Sequence, residues 1–212
     1  YRAAQEARSL MGDFYTRAAR IVNASDASEL AFMDSASRAW NMALSGKELR
    51  GGDSILTLSS EFGTNLVSLF HRARQVGATV HVIACDEAGD FDLEEVAKKL
   101  NGGVSLIAVS HVAAHGSIVN PVQEIGRLAR AHGTTFLVDG CQAVGQIPVD
   151  VQAIQCDAYT ATGRKWLCGP RGTGFLYVNR SSSLRAAQVD LAAADLILDE
   201  TRAVVGVDVR SD

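Results

Sequence analysis

Residues 160–178 read TATGRKWLCGPRGTGFLYV, and this stretch decides how the rest of the chain is interpreted. Its first part continues a short apolar, strand-like segment and leads directly to Lys165. A glycine-rich run, GPRGTG, follows at residues 169–174. Because glycine tolerates backbone conformations that other residues avoid, we interpret this run as a tight turn before a last strand at residues 174–178. The pattern therefore places Lys165 just beyond the end of a strand.

A second strand-like segment ends in an acid upstream of that lysine. Residues 134–139 read TTFLVD, so Asp139 stands at the carboxyl end of this segment. A lysine and an acid at two strand ends are what a pyridoxal 5'-phosphate (PLP) site needs, since the lysine holds the cofactor aldehyde as a Schiff base and the acid keeps the pyridine nitrogen protonated. The pair predicts PLP as the cofactor, whereas a lone lysine would be read as a solvated surface charge.

Strand-like and helix-like segments alternate along most of the chain, which predicts an α/β layer fold with a mainly parallel sheet covered on both faces. The predicted strands span residues 29–33, 54–58, 79–84, 104–110, 134–138, 157–160 and 174–178. The predicted helices span residues 2–20, 63–76, 92–100 and 121–132, with one more from residues 35–37 to about residue 46. Residues 184–198 are alanine-rich and helix-prone, and residues 204–209 are a candidate strand.

The composition is that of an ordinary globular domain and does not point to nucleic acid or a membrane as a partner. The chain has 212 residues, a net charge of −4 and 47% hydrophobic residues, which is enough for one well-buried domain. The mild acidic balance gives no reason to expect nucleic acid or an anionic membrane as a partner. The longest apolar stretches fall short of the roughly 20 residues that a membrane span requires. No signal peptide is visible at Tyr1, and a chain that begins with Tyr reads as trimmed or as part of a longer protein.

The cysteines and histidines do not predict a metal site. The four cysteines are scattered and form no CxxC pair, so we expect reduced thiols in a cytoplasmic protein. His111 and His115 are four positions apart, as helical metal ligands are, but the apolar run before them reads as a strand and Gly116 follows. A shared helical face is therefore not expected, and we predict no bound metal.

Candidate functional residues fall at the ends of four predicted strands. Ser37 follows the strand at residues 29–33, and His111 follows the strand that ends at Ser110. Asp139 and Lys165 follow two further strands. In open α/β sheets, ligands bind outside the carboxyl ends of the strands. We therefore expect these four side chains to lie at one edge of the sheet.

Five motifs together resemble the class V aminotransferase-like, fold-type I PLP enzymes, a group that includes cysteine desulfurases, isopenicillin-epimerase-like proteins and ergothioneine-type C–S lyases. The motifs are FMDSASRAWN (32–41), SEFGTN (60–65), SHVAAHGSIVNP (110–121), VDGCQAVGQIPVDV (138–151) and TGRKWLCGPRGTGFLYV (162–178). The resemblance implies a three-layer PLP-transferase large domain with a mainly parallel, mixed sheet in residues 1–180. Residues 181–212 would be the start or a remnant of the C-terminal region, with the small C-terminal domain missing.

The resemblance also implies roles for single residues. Lys165 would bind the cofactor aldehyde and then move protons as the freed amine, because a buried lysine loses its proton readily. Asp139 would pair with the pyridine nitrogen. Gln142 would donate a hydrogen bond to the phenolic oxygen of the ring, and His111 would stack on the ring face.

The cofactor phosphate needs hydrogen-bond donors and positive charge. Ser35, Ala36 and Ser37 stand at the start of a helix, where backbone N–H groups and the helix dipole favour an anion. Thr162 and Arg164 flank the lysine and would add a hydroxyl and a guanidinium. The family commonly has Ser and His at these two positions. Arg164 is thus a departure, and a bridge to a neighbouring element is its alternative role.

Two further departures narrow the reaction. Many desulfurases carry a histidine in the segment that matches residues 61–65, where this chain reads EFGTN. Nothing after residue 180 resembles a mobile cysteine loop, and Cys141 and Cys168 read as packing residues. The resemblance implies a homodimeric PLP enzyme that removes the Cα proton of an amino-acid substrate. The two departures favour C–S lyase action on an S-substituted cysteine over desulfurase chemistry.

Other functions stay open at this point. A class V aminotransferase is the first alternative, epimerisation is a further outcome of the same deprotonation, and a non-catalytic PLP-fold module is another. A plain nucleotide-binding α/β domain lacks support because the chain carries neither a Walker nor a Rossmann signature. The sequence leaves the substrate and the arginine for its carboxylate unidentified.

Overall fold

Alternating helices and strands make up the part of the chain that the computed structural model describes, residues 2–86, 91–116, 118–188, 194–198, 200 and 204–209. The helices are α1 (Arg2–Val22), α2 (Ala36–Gly46), α3 (Gly63–Val76), α4 (Leu93–Asn101), α5 (Val122–Ala131) and α6 (Val151–Ile154), with a 3-10 turn at Ala27–Glu29. The strands are β1 (Leu30–Met33), β2 (Ser54–Leu58), β3 (Thr79–Ile83), β4 (Leu106–Ser110), β5 (Thr135–Asp139), β6 (Ala158–Thr162), β7 (Gly174–Val178), β8 (Ala194–Leu198) and β9 (Val204–Val209).

The main sheet has seven strands in the order β1-β7-β6-β5-β4-β2-β3. Strand β7 runs antiparallel to β1 and β6, whereas the other neighbouring pairs are parallel. Strands β1, β4, β5 and β6 therefore all end at the same edge. The predicted mainly parallel, mixed sheet is confirmed.

Register brings the candidate residues close together at that edge. Ser110 is opposite Asp139, and Asp139 is opposite Thr160. Gly174 is opposite both Thr162 and Met33, so the end of β1 is one strand away from the end of β6. The sequence-predicted strand ends thus converge as expected.

Helices cover both faces of the sheet, which makes the fold three layers. Every residue of β4, β5 and β6 is buried, as expected for strands covered on both sides. One hydrophobic cluster joins the sheet to α1, α4 and α5, and includes Val22, Val96, Ile125, Phe136 and Val138. The other joins it to α2 and α3, and includes Trp40, Leu44, Leu69, Leu106 and Leu137.

The region after residue 180 differs from the sequence prediction. The helix proposed over residues 184–198 is wrong, since residues 194–198 form β8 and pair antiparallel with β9, and residues 184–188 are not helical. Alanine favours helices only weakly, and strand pairing overrides that preference. Residues 189–193 lie outside the described part of the chain. The division of the chain at residue 180 stays a prediction.

The short helix α6 is absent from the sequence prediction. Asp150 caps its start by accepting hydrogen bonds from the backbone N–H groups of Gln152 and Ala153 at 2.9 Å each. The signal is an aspartate at an N-cap position, which is too weak alone to predict a helix of one turn. Within the described ranges, no helix is long and apolar enough to cross a bilayer.

Gly126 allows α5 to pack closely against α6. A Cβ atom at this position would overlap the carbonyl oxygen of Ile154 and lie 3.3 Å from the Phe136 ring. Gly126→Ala should therefore lower the free energy of unfolding by about 1–3 kcal/mol, the usual cost of overpacking. Gly12→Ala is the matched control, because nothing lies within 4 Å of its Cβ position in α1.

Urea denaturation of both variants measures the effect. The Gly12→Ala control should be neutral or stabilise the protein by up to about 1 kcal/mol, since alanine is the better helix former. Equal unfolding midpoints for Gly126→Ala and the unmodified protein would contradict the close helix contact.

Candidate active site

Lys165 and Asp139 line one pocket at the carboxyl edge of the sheet. They come from different segments, since Asp139 ends β5 and Lys165 lies three residues beyond β6. The pocket is lined by Phe62, Ser110, Val112, Ala114, Asp139, Cys141, Gln142 and Lys165. An acid and an amine thus share one enclosure, as the sequence predicts.

The Asp139 carboxylate is buried and held by three donors. Its Oδ1 accepts from the backbone N–H of Cys141 at 2.9 Å and from the Thr160 hydroxyl at 3.4 Å. Its Oδ2 accepts from the side-chain amide of Asn65 at 2.8 Å. Because the donors come from α3, β6 and the loop after β5, the orientation of the carboxylate is fixed by three separate parts of the fold.

A hairpin loop presents Lys165 to the pocket. The loop closes where the backbone N–H of Gly163 donates to Thr173 O at 2.8 Å, and Gly169 N–H donates to Gly163 O at 2.7 Å. Cys168 has a φ of 53°, and its N–H donates to Lys165 O at 2.9 Å. The predicted tight turn before β7 is therefore present, and it fixes the backbone on both sides of the lysine.

Phe62 supplies an aromatic ring to the pocket, a role that its position in the sequence does not reveal. It is the N-cap residue of α3, and its ring centroid lies 5.8 Å from Lys165 Nζ. A phenyl ring carries no exchangeable proton. This position therefore offers a flat apolar surface beside the amine and no acid or base.

His111 directly follows β4, and its ring contacts Tyr159. It is buried, its Nδ1 is 2.8 Å from the Tyr159 hydroxyl oxygen, and the two rings are edge to face. Burial lowers the pKa of His111 to about 4, so the imidazole is neutral at neutral pH. The residues that line the described pocket include Phe62 but not His111. Phe62 is thus an aromatic side chain at the pocket, and the stacking role of His111 stays a prediction.

A glycine makes the position of Tyr159 possible. The Tyr159 ring lies against Gly140, where a Cβ atom would overlap ring atoms. Gly140 directly follows Asp139, and its N–H donates to Thr160 O at 2.8 Å. His111 N–H in turn donates to Asp139 O at 2.8 Å. His111 and Tyr159 therefore contact the backbone of Asp139 and Gly140 and help to fix its position.

Gln142 lines the pocket, and Trp166 orients it. The indole N–H of Trp166 donates to Gln142 Oε1 at 2.9 Å. With its carbonyl oxygen engaged, Gln142 keeps its NH₂ group as the donor for a ligand. Gly145 allows this contact, since a Cβ atom there would lie 2.7 Å from the Trp166 backbone.

The start of α2 lies at the same edge of the sheet, directly after β1. The Ser35 hydroxyl is engaged in capping, since its oxygen accepts from Arg38 N–H at 3.2 Å and its O–H donates to Asp34 at 3.1 Å. The first amides of a helix lack carbonyl partners within the helix. The backbone N–H groups of Ala36 and Ser37, rather than the Ser35 hydroxyl, are therefore the donors available to an anion.

The two residues that flank the lysine differ in their surroundings. Thr162 is buried, and its hydroxyl donates to Thr173 O at 3.5 Å, a long contact that a better acceptor could replace. Arg164 is exposed. Their predicted role in phosphate binding stays a prediction.

The buried thiol at the pocket is a poor nucleophile. Burial, with a smaller contribution from the charge of Asp139, raises the pKa of Cys141 well above its usual value. Only the thiolate reacts as a nucleophile, so Cys141 is inert at neutral pH. Among the residues that the structure describes, no group of three or more His, Cys, Asp or Glu is arranged to hold a metal ion.

Comparison with known proteins agrees with this geometry. Residues 1–194 match the family described as Aminotransferase class-V. The chain is 36% identical to a probable cysteine desulfurase from Synechocystis sp. over 164 residues, which are 76% of this chain and 39% of the relative. It is also 36% identical to a cysteine desulfurase from Escherichia coli O17:K52:H18, over 83% of this chain and 44% of the relative. The chain thus spans less than half the length of these relatives.

Solved structures show the same fold. The apo cysteine desulfurase from Thermococcus onnurineus NA1 superimposes with a TM-score of 0.88 at 24% identity, over 100% of this chain and 52% of that one. The cystine C–S lyase C-DES, solved with its product cysteine persulfide, gives a TM-score of 0.79 at 24% identity, over 97% of this chain and 55% of that one. The predicted three-layer large-domain fold is confirmed by these likenesses.

Proposed function

The chain belongs to the class V aminotransferase family, and from that premise we propose that it forms the cofactor-binding part of a PLP-dependent enzyme acting on an amino acid. The observation that carries the proposal is the pocket that Asp139 and Lys165 share at the carboxyl edge of the sheet. Membership of this family also supports the predicted cofactor, PLP. We propose that residues 1–180 are the large domain and residues 181–212 the start of the C-terminal region.

The residues at the pocket fit the chemistry of PLP. Lys165 would bind the aldehyde, and the Asp139 carboxylate, whose three donors fix its orientation, would pair with the ring nitrogen. Phe62 would cover one ring face, and the NH₂ group of Gln142 would donate to the phenolic oxygen. The phosphate would lie at the amides of Ala36 and Ser37, with Thr162 and Arg164 as further candidates. When bound, PLP supplies an electron-withdrawing ring that acidifies the Cα–H bond of an attached amino acid.

The proton transfers fall to Lys165 in this proposal. Phe62 carries no exchangeable proton, His111 is hydrogen-bonded to Tyr159, and the Cys141 thiol keeps its proton. Lys165 Nζ is the amine at the pocket, so it would remove the proton from Cα of the substrate. The Asp139 carboxylate would balance the charge of the ring nitrogen.

We propose C–S bond cleavage by β-elimination on an S-substituted cysteine as the reaction. The substrate would lose its Cα proton and then a thiolate from Cβ, and hydrolysis of the remaining enamine would give pyruvate and ammonia. Phe62 has no basic group that could take the thiol proton of free cysteine, and this supports a substrate whose sulfur already carries a substituent. The inert Cys141 thiol agrees with a reaction that forms no persulfide on this residue.

The comparisons with known proteins also support two other reactions. The relatives at 36% identity are cysteine desulfurases, which favours free cysteine as an alternative substrate. The class V aminotransferase family itself favours transfer of the amino group to a 2-keto acid. A non-catalytic PLP-fold module is the weakest alternative, because the lysine and the acid are both in place.

An assay of the full-length protein is expected to separate these reactions. A bulky S-substituted cysteine should yield pyruvate, ammonia and a thiol in equal amounts without any added 2-keto acid. Free cysteine should be a poor substrate. Production of alanine and protein-bound sulfur from free cysteine would favour the desulfurase instead, and strict dependence on a 2-keto acid would favour the aminotransferase.

We also propose that the enzyme is a cytoplasmic homodimer. The four cysteines are free, which supports a reducing compartment. Val67, Phe70 and Trp166 are exposed apolar side chains on or near α3 and the lysine loop, and Phe70 is 50% exposed. Apolar surface of this kind supports burial in a symmetric contact with a second copy.

A further inference from the structure

Two buried carboxyl groups share a single amide beside the pocket. Asn65, in the first turn of α3, donates from Nδ2 to Asp139 Oδ2 at 2.8 Å and to Glu61 Oε1 at 2.8 Å. Asn65 is only 2% exposed and the two acids are 6% and 7% exposed. A side-chain amide has two hydrogens, so both donors of Asn65 are used and its orientation is fixed by the two acids.

Glu61 is bound through one oxygen only. Its Oε1 accepts from Asn65, from Phe62 N–H at 2.8 Å and from the Ser110 hydroxyl at 2.6 Å. Its Oε2 is buried and has no hydrogen-bond partner among the described residues. A charged oxygen without a donor is costly in a buried site, whereas a neutral acid carries its hydrogen there at much lower cost.

The electrostatics favour the neutral form of Glu61 at mildly acidic pH. Burial raises the pKa of Glu61 to about 7, and the charge of Asp139 makes a smaller contribution in the same direction. The other titratable groups at the pocket are Lys165 and Cys141. Two adjacent ionised carboxylates would repel each other, and a neutral Glu61 avoids that repulsion.

We propose that Glu61 and Asn65 are positioning residues for Asp139: Glu61, as a neutral acid, fixes the Asn65 amide, and the amide fixes the rotation of the Asp139 carboxylate. The chain of contacts joins the start of α3, the end of β4 at Ser110 and the end of β5. This inference rests on the proposed function, in which Asp139 pairs with the ring nitrogen of PLP.

Four variants of the full-length protein test the proposal. Asn65→Ala and Glu61→Ala break the chain of contacts at different points. Glu61→Gln keeps a carbonyl oxygen for the three donors and places an NH₂ group at the partnerless position. Thr64→Ala is the matched control, because Thr64 lies in the same turn of α3 and is exposed.

The first measurement is the dissociation constant of PLP, from titration of the folded apoprotein by visible absorbance. Asn65→Ala and Glu61→Ala should weaken binding by about tenfold, the size expected for one lost hydrogen bond to a charged group. Glu61→Gln and Thr64→Ala should stay within about twofold of the unmodified protein. If Glu61→Gln weakens binding as much as Glu61→Ala, Glu61 acts as an anion and the proposal is wrong.

The second measurement separates positioning from a purely structural role. A structural network would lower the stability of the apoprotein in both alanine variants and leave the PLP dissociation constant unchanged, which would overturn the proposal. A positioning role predicts that the folded variants bind PLP more weakly at the same temperature. It also predicts a shifted visible absorbance maximum of the loaded protein in Asn65→Ala and an unshifted one in Glu61→Gln.

A third measurement needs no cofactor, so it stands even if the proposed function fails. If the unmodified protein does not bind PLP, the proposed function in PLP chemistry is wrong. Measurements on the apoprotein then still test the contacts among Glu61, Asn65 and Asp139. The effect of Asn65→Ala on the unfolding equilibrium constant is measured in two backgrounds, the unmodified protein and Asp139→Asn. Because the two residues are coupled, the effect should be at least about threefold smaller in the Asp139→Asn background. An infrared carboxylic-acid band at mildly acidic pH should disappear in Glu61→Gln. Equal effects in both backgrounds, or no such band, would reject the positioning role.

Discussion

Lys165→Ala is expected to reduce turnover of the full-length enzyme by about a thousandfold, within the range that a positioned acid–base group contributes. Its Nζ is the amine at the described pocket, and the neighbouring side chains offer no replacement. Phe62 has no exchangeable proton, and His111 is hydrogen-bonded to Tyr159. The loss should therefore appear in kcat and should not be restored by a higher substrate concentration.

Covalent labelling identifies the lysine independently of turnover. Borohydride treatment of the PLP-loaded protein, followed by peptide mass analysis, should place a pyridoxyl group on Lys165. Lys98→Ala is the matched control, because Lys98 is an exposed lysine on α4. It should keep both turnover and the label. A label on another lysine, or a Lys165→Ala variant of normal activity, would refute the assignment.

Asp139→Asn is the second large effect, with an expected loss of at least about a hundredfold in kcat, or roughly 2.7 kcal/mol in the activation barrier. The amide has the size of the carboxylate but no negative charge, so it cannot hold a protonated ring nitrogen. The variant should still fold and should bind PLP at saturating cofactor, although more weakly, because Lys165 and the phosphate contacts are unchanged. Steady-state kinetics and the amount of bound PLP measure the two effects separately.

Asp92→Asn is the control for the loss of one carboxylate. Asp92 caps α4 by accepting from the N–H groups of Glu94 and Glu95, and asparagine caps helices equally well. This variant should behave like the unmodified enzyme. Turnover of Asp139→Asn within about threefold of normal, a change below roughly 1 kcal/mol, would mean that Asp139 has no part in the electronics of the reaction.

Much of the fold follows from the pattern of apolar residues. Strands β4 and β5 are continuous apolar runs because both of their faces are covered, and such runs are visible in the sequence. Helix α3 has the predicted bounds, since Gly77 in a left-handed conformation ends it. The strand β8 was missed because an alanine-rich composition reports helix propensity, whereas its pairing with β9 depends on a distant segment.

A site residue can be predicted from the sequence only where its place at a strand end determines its role. Lys165, Asp139 and Gln142 follow strands or the loop after a strand, and the topology brings them together. Phe62, Asn65 and Glu61 were not assigned roles, because their meaning arises from contacts with residues far away in the sequence. The signal available was an acid and an amide four positions apart at the start of a helix, in a segment already noted for its lack of histidine.

The pairing of β1 with β7 has a consequence for synthesis of the chain. Strand β1 is made early, yet its partner in the sheet is residues 174–177. A nascent chain therefore exposes the unpaired backbone of β1 until the lysine hairpin has left the ribosome. Pairing between such distant segments is slow, and open strand edges favour aggregation. A chain released before the segment that carries Lys165 has been made should thus aggregate more readily than the complete sheet.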